Sequence, residues 1–165
     1  GGIAAASRHF HPDVDLEGPY LGTGNDDPLW EEFASILTRI MGGALSVIPQ
    51  TYDRACHVEY PGCISAHGAT AVDRFWMPFR ASFSTATFRV HHKIGRRDAD
   101  MPPRAAVRWS LTGKHDGWGV FGRPTGADVH VMGISHAEFG PWGLRREYTL
   151  FDETMIWKQI LLHKG

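Results

Sequence analysis

Residues 86–151 carry four strand-length runs in succession, at 86–94, 105–113, 128–139 and 143–151. Three of them come close to alternating apolar with polar side chains, the period of a strand that buries one face, and 128–139 is apolar on both faces. The link between the second and third, "GKHDGWGVFGRPTGA", holds five glycines and one proline and reads as a loop. Strands that follow one another this closely pair antiparallel.

Upstream the period changes from two to between three and four. Asp27 stands where a helix N-cap belongs, with Pro28 at the first helical position and Glu31 and Glu32 in the first turn. Trp30, Phe33, Leu37, Ile40 and Ala44 then recur at helical spacing, Leu29, Ile36 and Met41 widen the stripe, and Gly42-Gly43 ends it. A shorter helical piece at 45–52 is disturbed by Pro49. "ACHVEYPG" reads as a strand, with Cys56, Val58 and Tyr60 on one face, His57 and Glu59 on the other, and Pro61-Gly62 as the stop. Residues 69–82 are again helical, with Val72, Phe75, Trp76 and Phe79 sharing a face and Pro78 weakening the last turn. Residues 152–163 form either a helix or a final extended piece. Helices first and antiparallel strands after define an α+β domain, with helices packed on one face of a curved sheet.

A length of 165 residues fits one domain with a real core. Residues 28–165 are assigned to it, and the Gly-, Pro- and Asp-rich stretch 1–27 to an arm or extension. The chain starts Gly1-Gly2 rather than with Met, as a processed, tagged or partial product would. The 17 basic against 18 acidic side chains leave no global field for nucleic acid or an anionic membrane. No long apolar run marks a transmembrane span. Cys56 and Cys63, the only cysteines, make neither a disulfide framework nor a zinc pattern, so a reduced, cytoplasmic protein is expected.

Strand alternation places titratable groups on the apolar faces. The run 86–94 carries His92 beside Phe88, Val90 and Ile94, and 105–113 carries Ala105, Val107, Trp109 and Leu111 and continues to His115. The run 128–139 brings His136 in line with Met132 and Ile134, although both of its faces are apolar. The run 143–151 brings Leu144, Tyr148 and Leu150 in, and ends at Asp152. Burial destabilises the charged form of such groups, which makes them acid–base candidates. Each has a plainer reading: His92 and His136 as hydrogen-bonded core residues, Asp152 as a helix cap, and His115-Asp116-Gly117 as a turn. Their coincidence on one surface depends on the strand registers. His9-x-His11 and His91-His92 lack a third ligand, so no metal site is expected, and "FGRPTGA" lacks the strand–loop–helix setting of a phosphate loop.

The stretch "LTGKHDGWGVFGRPTGADVHVMGI", followed by "GLRREYTLFDETMIWKQI", resembles the SnoaL-like polyketide cyclase domain of the nuclear-transport-factor-2-like superfamily. The resemblance covers about residues 28–163. It implies a cone-shaped, curved, mostly antiparallel sheet with N-terminal helices packed over a deep hydrophobic pocket. It implies an intramolecular aldol closure without cofactor or metal, with Asp152 in the place of the catalytic acid/base and His136 or His115 as the nearby donor. Tyr60, His92, Trp109, Tyr148, Trp76 and Phe33 are the expected pocket-lining, substrate-binding residues. "LSVIPQTYDRACHVEYPG" is similar to the same stretch of the ketosteroid isomerases, but Tyr60 stands where those carry a catalytic Asp.

Three functions compete. The first is a cofactor-free cyclase- or isomerase-like enzyme acting on a small hydrophobic carbonyl compound. The second is an epoxide hydrolase or dehydratase, which would need an Asp-Arg-Asp set around a water. The third is a non-catalytic module that binds a hydrophobic ligand or dimerises. The resemblance implies a homodimer joined through the outer sheet face.

Overall fold

In a computed structural model, residues 22–164 of the chain are described. Four helices and six strands follow one another: α1 (Pro28–Met41), α2 (Val47–Thr51), β1 (Tyr52–Tyr60), β2 (Ile64–His67), α3 (Ala69–Ser82), β3 (Thr87–Arg96), β4 (Arg104–Lys114), β5 (Asp128–Gly140), β6 (Gly143–Phe151) and α4 (Glu153–His163). The strands form one sheet in the order β2-β1-β6-β5-β4-β3. Every neighbouring pair is antiparallel except β1 with β6, which is parallel. The helices cover one face, with α1 lying across β3 and β4, α3 on β1, and α4 on the start of β5.

Local chemistry accounts for the helix ends. The Asp27 carboxylate accepts from the Leu29 N–H at 2.9 Å, and Gly42 closes α1. Pro78 lies inside α3, and its carbonyl accepts from the Ser82 hydroxyl at 3.0 Å and the Val120 N–H at 3.3 Å. The last segment is a helix, capped at its start by Asp152. A short strand not anticipated from the sequence, β2, folds back on β1 through Pro61-Gly62-Cys63.

Of the arm expected at 1–27, residues 1–21 lie outside the described residues. Thr23–Asn25 run parallel to β3: the Lys93 N–H donates to the Thr23 carbonyl at 3.0 Å and the Asn25 N–H donates to the Lys93 carbonyl at 3.1 Å. The Lys93 ammonium lies 3.9 Å above the Trp30 ring, joining α1 to the same edge.

The space between sheet and helices is filled by large rings. Trp76, Trp109, Phe33, Phe79 and Phe83 are fully buried. Trp109 lies over Gly133 of β5, where a Cβ would come within 2.1 Å of its ring. Only glycine leaves room for the indole at that point.

Two bulges decide which side chains face this interior. On β3, Val90 pairs with Trp109 but His92 pairs with Arg108, so His91 is an extra residue. On β6, Leu144 pairs with Phe139 and Arg146 with Glu138, so Arg145 is extra. Each extra residue reverses the side to which the following side chains point.

Candidate functional site

The inner face of β6 carries a glutamate. Counting on from Leu144, the bulge at Arg145 turns Glu147, Thr149 and Phe151 inward. Glu147 has no solvent exposure. Tyr52, at the start of β1, donates its hydroxyl proton to Glu147 Oε1, and Thr149 donates to Oε2 at 3.2 Å. Tyr60, at the end of β1, also hydrogen-bonds Glu147 and accepts from Trp76 Nε1 at 3.2 Å. The Thr149 hydroxyl lies 2.8 Å from Ser135 Oγ, which accepts from Trp109 Nε1 at 3.0 Å. An indole N–H can only donate. Two chains of hydrogen bonds, each begun by a tryptophan, therefore converge on one carboxyl.

No Lys, Arg or His hydrogen-bonds or pairs with Glu147 among the described residues. Burial pushes its pKa above the ordinary carboxylate value, and the hydroxyls of Tyr52, Tyr60 and Thr149 pull it part of the way back. Burial, reinforced by the nearby Glu147 charge, holds both phenols well above their ordinary value. The result is a carboxyl poised to take or keep a proton beside two neutral O–H donors.

The second interior group is His115. It follows β4, whose alternation carries it inward as the sequence indicates, and it has no solvent exposure. Its backbone N–H donates to the Ala127 carbonyl at 2.8 Å, and its carbonyl accepts from Gly126 N–H at 2.9 Å. These bonds close the glycine-rich loop. The ring lies against Phe83 and Phe121, with Nδ1 3.1 Å from Thr125 Oγ1, and Nε2 is buried without a hydrogen-bond partner among the described residues. Burial lowers its pKa, with Lys164 acting in the same direction and the adjacent Asp116 charge and the Gly122 backbone beside the ring opposing. Asp116 is held by Ser84 and Thr85 and serves as the turn.

A depressed histidine pKa has a consequence for stability. The folded ring stays neutral while the unfolded one gains a proton below its ordinary value of 6.5. Stability is therefore complete above that value and declines as pH falls from it towards the lower folded pKa. Urea midpoints of the wild type should drop across this window more steeply than those of His115→Gln. Parallel curves would count against it.

The expectation that four titratable groups share the inner face is corrected by the strand registers. The bulge at His91 sets His92 opposite Arg108, on the outer face, and gives the inward place to Lys93. On β5, Gly133 pairs with Trp109, so Val131, Gly133 and Ser135 face in, whereas Met132, Ile134 and His136 face out. The bulge at Arg145 likewise turns Tyr148 and Leu150 out. His136 and Tyr148 are neighbours there, with ring centroids 6.0 Å apart. Asp152 is exposed and caps α4, accepting from the Met155 N–H at 3.0 Å. Asp152→Ala should therefore destabilise the fold by about 1 kcal/mol, and Asp152→Asn by much less, because asparagine also caps. Thermal or urea unfolding of the two variants checks this ordering.

Of the six expected pocket-lining residues, Phe33, Tyr60, Trp76 and Trp109 are interior, while His92 and Tyr148 are not. Phe75, half-buried, stacks on Tyr60 at 4.0 Å between centroids and leads from the surface to the Glu147 cluster. On the other side of the sheet, Arg108, Met132, Ile134, Leu150 and Asp152 line a cleft of about 340 Å³. Glu147 was not foreseen as a site residue. The only sequence signal was a lone acid two residues before an inward threonine, and the double-arginine pair ahead of it made the stretch look solvated. Among the described residues no group of three or more His, Cys, Asp and Glu is arranged to hold a metal ion, and no helix is long and apolar enough to cross a membrane.

A curved six-stranded sheet with helices on one side and rings packed between them is the SnoaL-like form of the nuclear-transport-factor-2-like fold. Solved structures agree. A provisionally named SnoaL-like polyketide cyclase from Jannaschia sp. CCS1 superposes with a TM-score of 0.65 at 15% identity, over 82% of this chain and 96% of its own. IdmH from Streptomyces antibioticus, provisionally named a polyketide cyclase, gives 0.62 at 15% identity over 79% and 96%. AclR from Streptomyces galilaeus, provisionally named a hydroxylase, gives 0.61 at 14% identity over 81% and 83%. No family model and no curated protein matches the chain. The resemblance read from the sequence thus holds at the level of the fold.

Proposed function

We propose that this chain is a cofactor-independent acid–base enzyme, cyclase- or isomerase-like, acting on a small hydrophobic carbonyl compound. The observation that supports this most is Glu147, a buried carboxyl of raised proton affinity beside the phenols of Tyr52 and Tyr60. In this reading the Glu147 carboxylate removes a proton from the carbon next to the carbonyl. The electron pair moves onto the carbonyl oxygen, and a tyrosine O–H stabilises the resulting enolate. The enolate carbon then attacks a second carbonyl of the same molecule, whose oxygen takes up the displaced electron pair and receives the proton held on Glu147; in the isomerase variant Glu147 returns that proton to a different carbon. Glu147 takes the base role that the resemblance assigned to Asp152, His115 remains as a second interior group, and His136 has no part in the interior chemistry. The carboxyl that position 60 lacks is supplied from β6, one hydrogen bond away. A flat ligand would enter by displacing Phe75 from its stack on Tyr60.

The fold's named neighbours, two polyketide cyclases and a hydroxylase, are compatible with such chemistry. Epoxide hydrolysis is less well supported: Arg108 and Asp152 share the outer cleft, but no second aspartate lines it. The enzyme is taken to work as a homodimer, and its two free cysteines, one exposed, suit a reducing, cytoplasmic setting.

The test is α-proton exchange of a panel of small hydrophobic ketones and diketones in D2O, followed by NMR, with wild type and Glu147→Gln. Exchange that depends on Glu147 supports the reading. Ligand-induced shifts at Tyr60 without any exchange would identify a binding module instead.

A further inference from the structure

Two tyrosines flank Glu147, and they are not equivalent. They reach it from opposite ends of β1. Tyr52 stands opposite Leu144 of β6, ahead of Glu147, and Tyr60 follows Glu59, which stands opposite Tyr148. The Tyr52 end is closed: α2 precedes it directly, and Val47 and Ile48 of that helix are buried. The half-buried rings lie at the Tyr60 end. Phe75 stacks on Tyr60 with ring planes 11° apart, and Phe151 lies 6.2 Å from Phe75. A ligand that takes the place of Phe75 therefore lies against Tyr60 and not against Tyr52.

Their hydrogen-bond partners differ in the same sense. An indole N–H donates and never accepts. Trp76 Nε1 occupies the acceptor side of the Tyr60 hydroxyl at 3.2 Å, which leaves the Tyr60 proton pointing away from the indole, towards Glu147. Trp76 is itself fully buried between Phe75 and Phe79, so this donor is fixed in place. No N–H donates to the Tyr52 hydroxyl among the described residues.

We infer that Tyr60, and not Tyr52, is the catalytic hydroxyl that meets the enolate oxygen, and that Trp76 is its positioning residue. This assignment rests on the acid–base role proposed for Glu147 and decides between its two phenols. While Glu147 is ionised it accepts from Tyr52, Tyr60 and Thr149. When the carbon–hydrogen bond next to the carbonyl breaks, its proton goes to Glu147 and its electron pair to the carbonyl oxygen. Negative charge has then moved from the carboxylate to the enolate, and the Tyr60 hydrogen bond follows it while the O–H stays intact. Tyr52 and Thr149 still hold the carboxyl. Thr149 gives its single proton to Glu147 Oε2, so in its contact with Ser135 the serine is the donor, and the Ser135 oxygen accepts from Trp109. Reversing that chain would leave the Ser135 proton without an acceptor among the described residues. One tryptophan thus aims the hydroxyl that moves, and the other locks the one that stays. The Trp76 bond also makes Tyr60 a better donor: burial and the Glu147 and Tyr52 charges hold its pKa up, and the Trp76 N–H works against them.

The test compares Tyr60→Phe, Tyr52→Phe, Trp76→Phe and Trp76→His with the wild type, with urea midpoints to confirm that each is folded. One readout is α-proton exchange of the panel ketones in D2O. The other is binding of 2-naphthol, whose planar oxyanion stands in for an enolate and needs no turnover. Tyr60→Phe should lower kcat for exchange about 10²-fold, as loss of one oxyanion donor does, with KM changed by less than about threefold. Tyr52→Phe should lower kcat by less than about tenfold. Trp76→Phe should lower it about three- to tenfold, the size of one neutral hydrogen bond. Trp76→His puts an N–H on a smaller ring and should recover part of that loss, whereas packing alone would make it worse. 2-Naphthol should bind at least about tenfold more weakly to Tyr60→Phe than to Tyr52→Phe. Losses for Tyr52→Phe that equal or exceed those for Tyr60→Phe would overturn the choice of Tyr60. A Trp76→Phe rate equal to wild type, or a histidine variant no better than phenylalanine, would overturn the positioning role. A wild type that exchanges no ketone yet binds 2-naphthol would overturn the acid–base role of Glu147, and the naphthol affinities would then decide the choice of Tyr60 alone. A wild type that does neither would overturn both.

Discussion

Glu147→Gln is expected to lower the rate of substrate proton exchange by about 10²- to 10⁴-fold, the usual contribution of a positioned acid–base group. Glutamine keeps the shape of the side chain and one acceptor oxygen for Tyr52, so the fold should survive. The substitution should also change how stability depends on pH, and that readout needs no substrate. In the folded protein the Glu147 carboxyl holds its proton above the ordinary value of 4.5, whereas in the unfolded chain it loses it there. The folded state then binds more protons than the unfolded one, so stability falls as pH rises through the window from 4.5 up to the folded pKa. Below that window both states are protonated and Glu147 contributes no slope. Glutamine removes the titration. The variant should therefore gain on the wild type as pH rises, and match or exceed it near neutrality. Urea midpoints measured from about pH 4 to pH 8 decide this. A variant that loses ground with rising pH would mean that Glu147 is held as a stabilised anion and is a poor base.

Trp109→Ala should be the most damaging single change among the interior rings, at about 3–5 kcal/mol. The indole is enclosed by Trp76, Phe88 and Phe151, with Gly133 beneath it. Rings fixed on separate strands and helices cannot close the gap completely, so a cavity remains. The loss also removes the N–H that Ser135 accepts, which leaves a buried hydroxyl under-satisfied. Against a typical domain stability of about 5–15 kcal/mol, this is a large fraction. Trp109→Phe separates the two causes, because it refills most of the volume without restoring the donor. Denaturant unfolding of both variants measures the split. A cost below about 1 kcal/mol for alanine would mean that the interior collapses freely around the site.

The architecture was largely readable from side-chain periodicity, and the site was not. Asp27-Pro28 at the start of α1, the aromatic face of α3 and the four long strands all follow from local patterns that tertiary structure did not override. What periodicity could not supply was parity. His91 and Arg145 are single extra residues in otherwise regular strands, and nothing in "VHHKI" or "GLRREY" marks them as such. Alternation counted from Val90 or Leu144 therefore assigned His92 and Tyr148 to the wrong side. On β5 both faces are apolar, and the deciding fact was the close approach of Trp109 to Gly133, a contact between strands. His115 was placed inside correctly because β4 pairs with β5 without a bulge from Arg104 to Lys114. Glu147 was missed because a charged residue after two arginines looks solvated until the partners that bury it, Tyr52 and Tyr60, are brought in from β1.

The pairing of Thr23–Asn25 with Lys93 also bears on how the molecule behaves in a crowded solution. A strand at the margin of a sheet offers unpaired N–H and C=O groups to any passing chain, and β3 is such a margin. The chain covers its own exposed rim at Lys93, where an incoming strand would otherwise bind. Trimming the sequence past residue 25 would uncover that rim and leave it open to aggregation, with the folded core untouched.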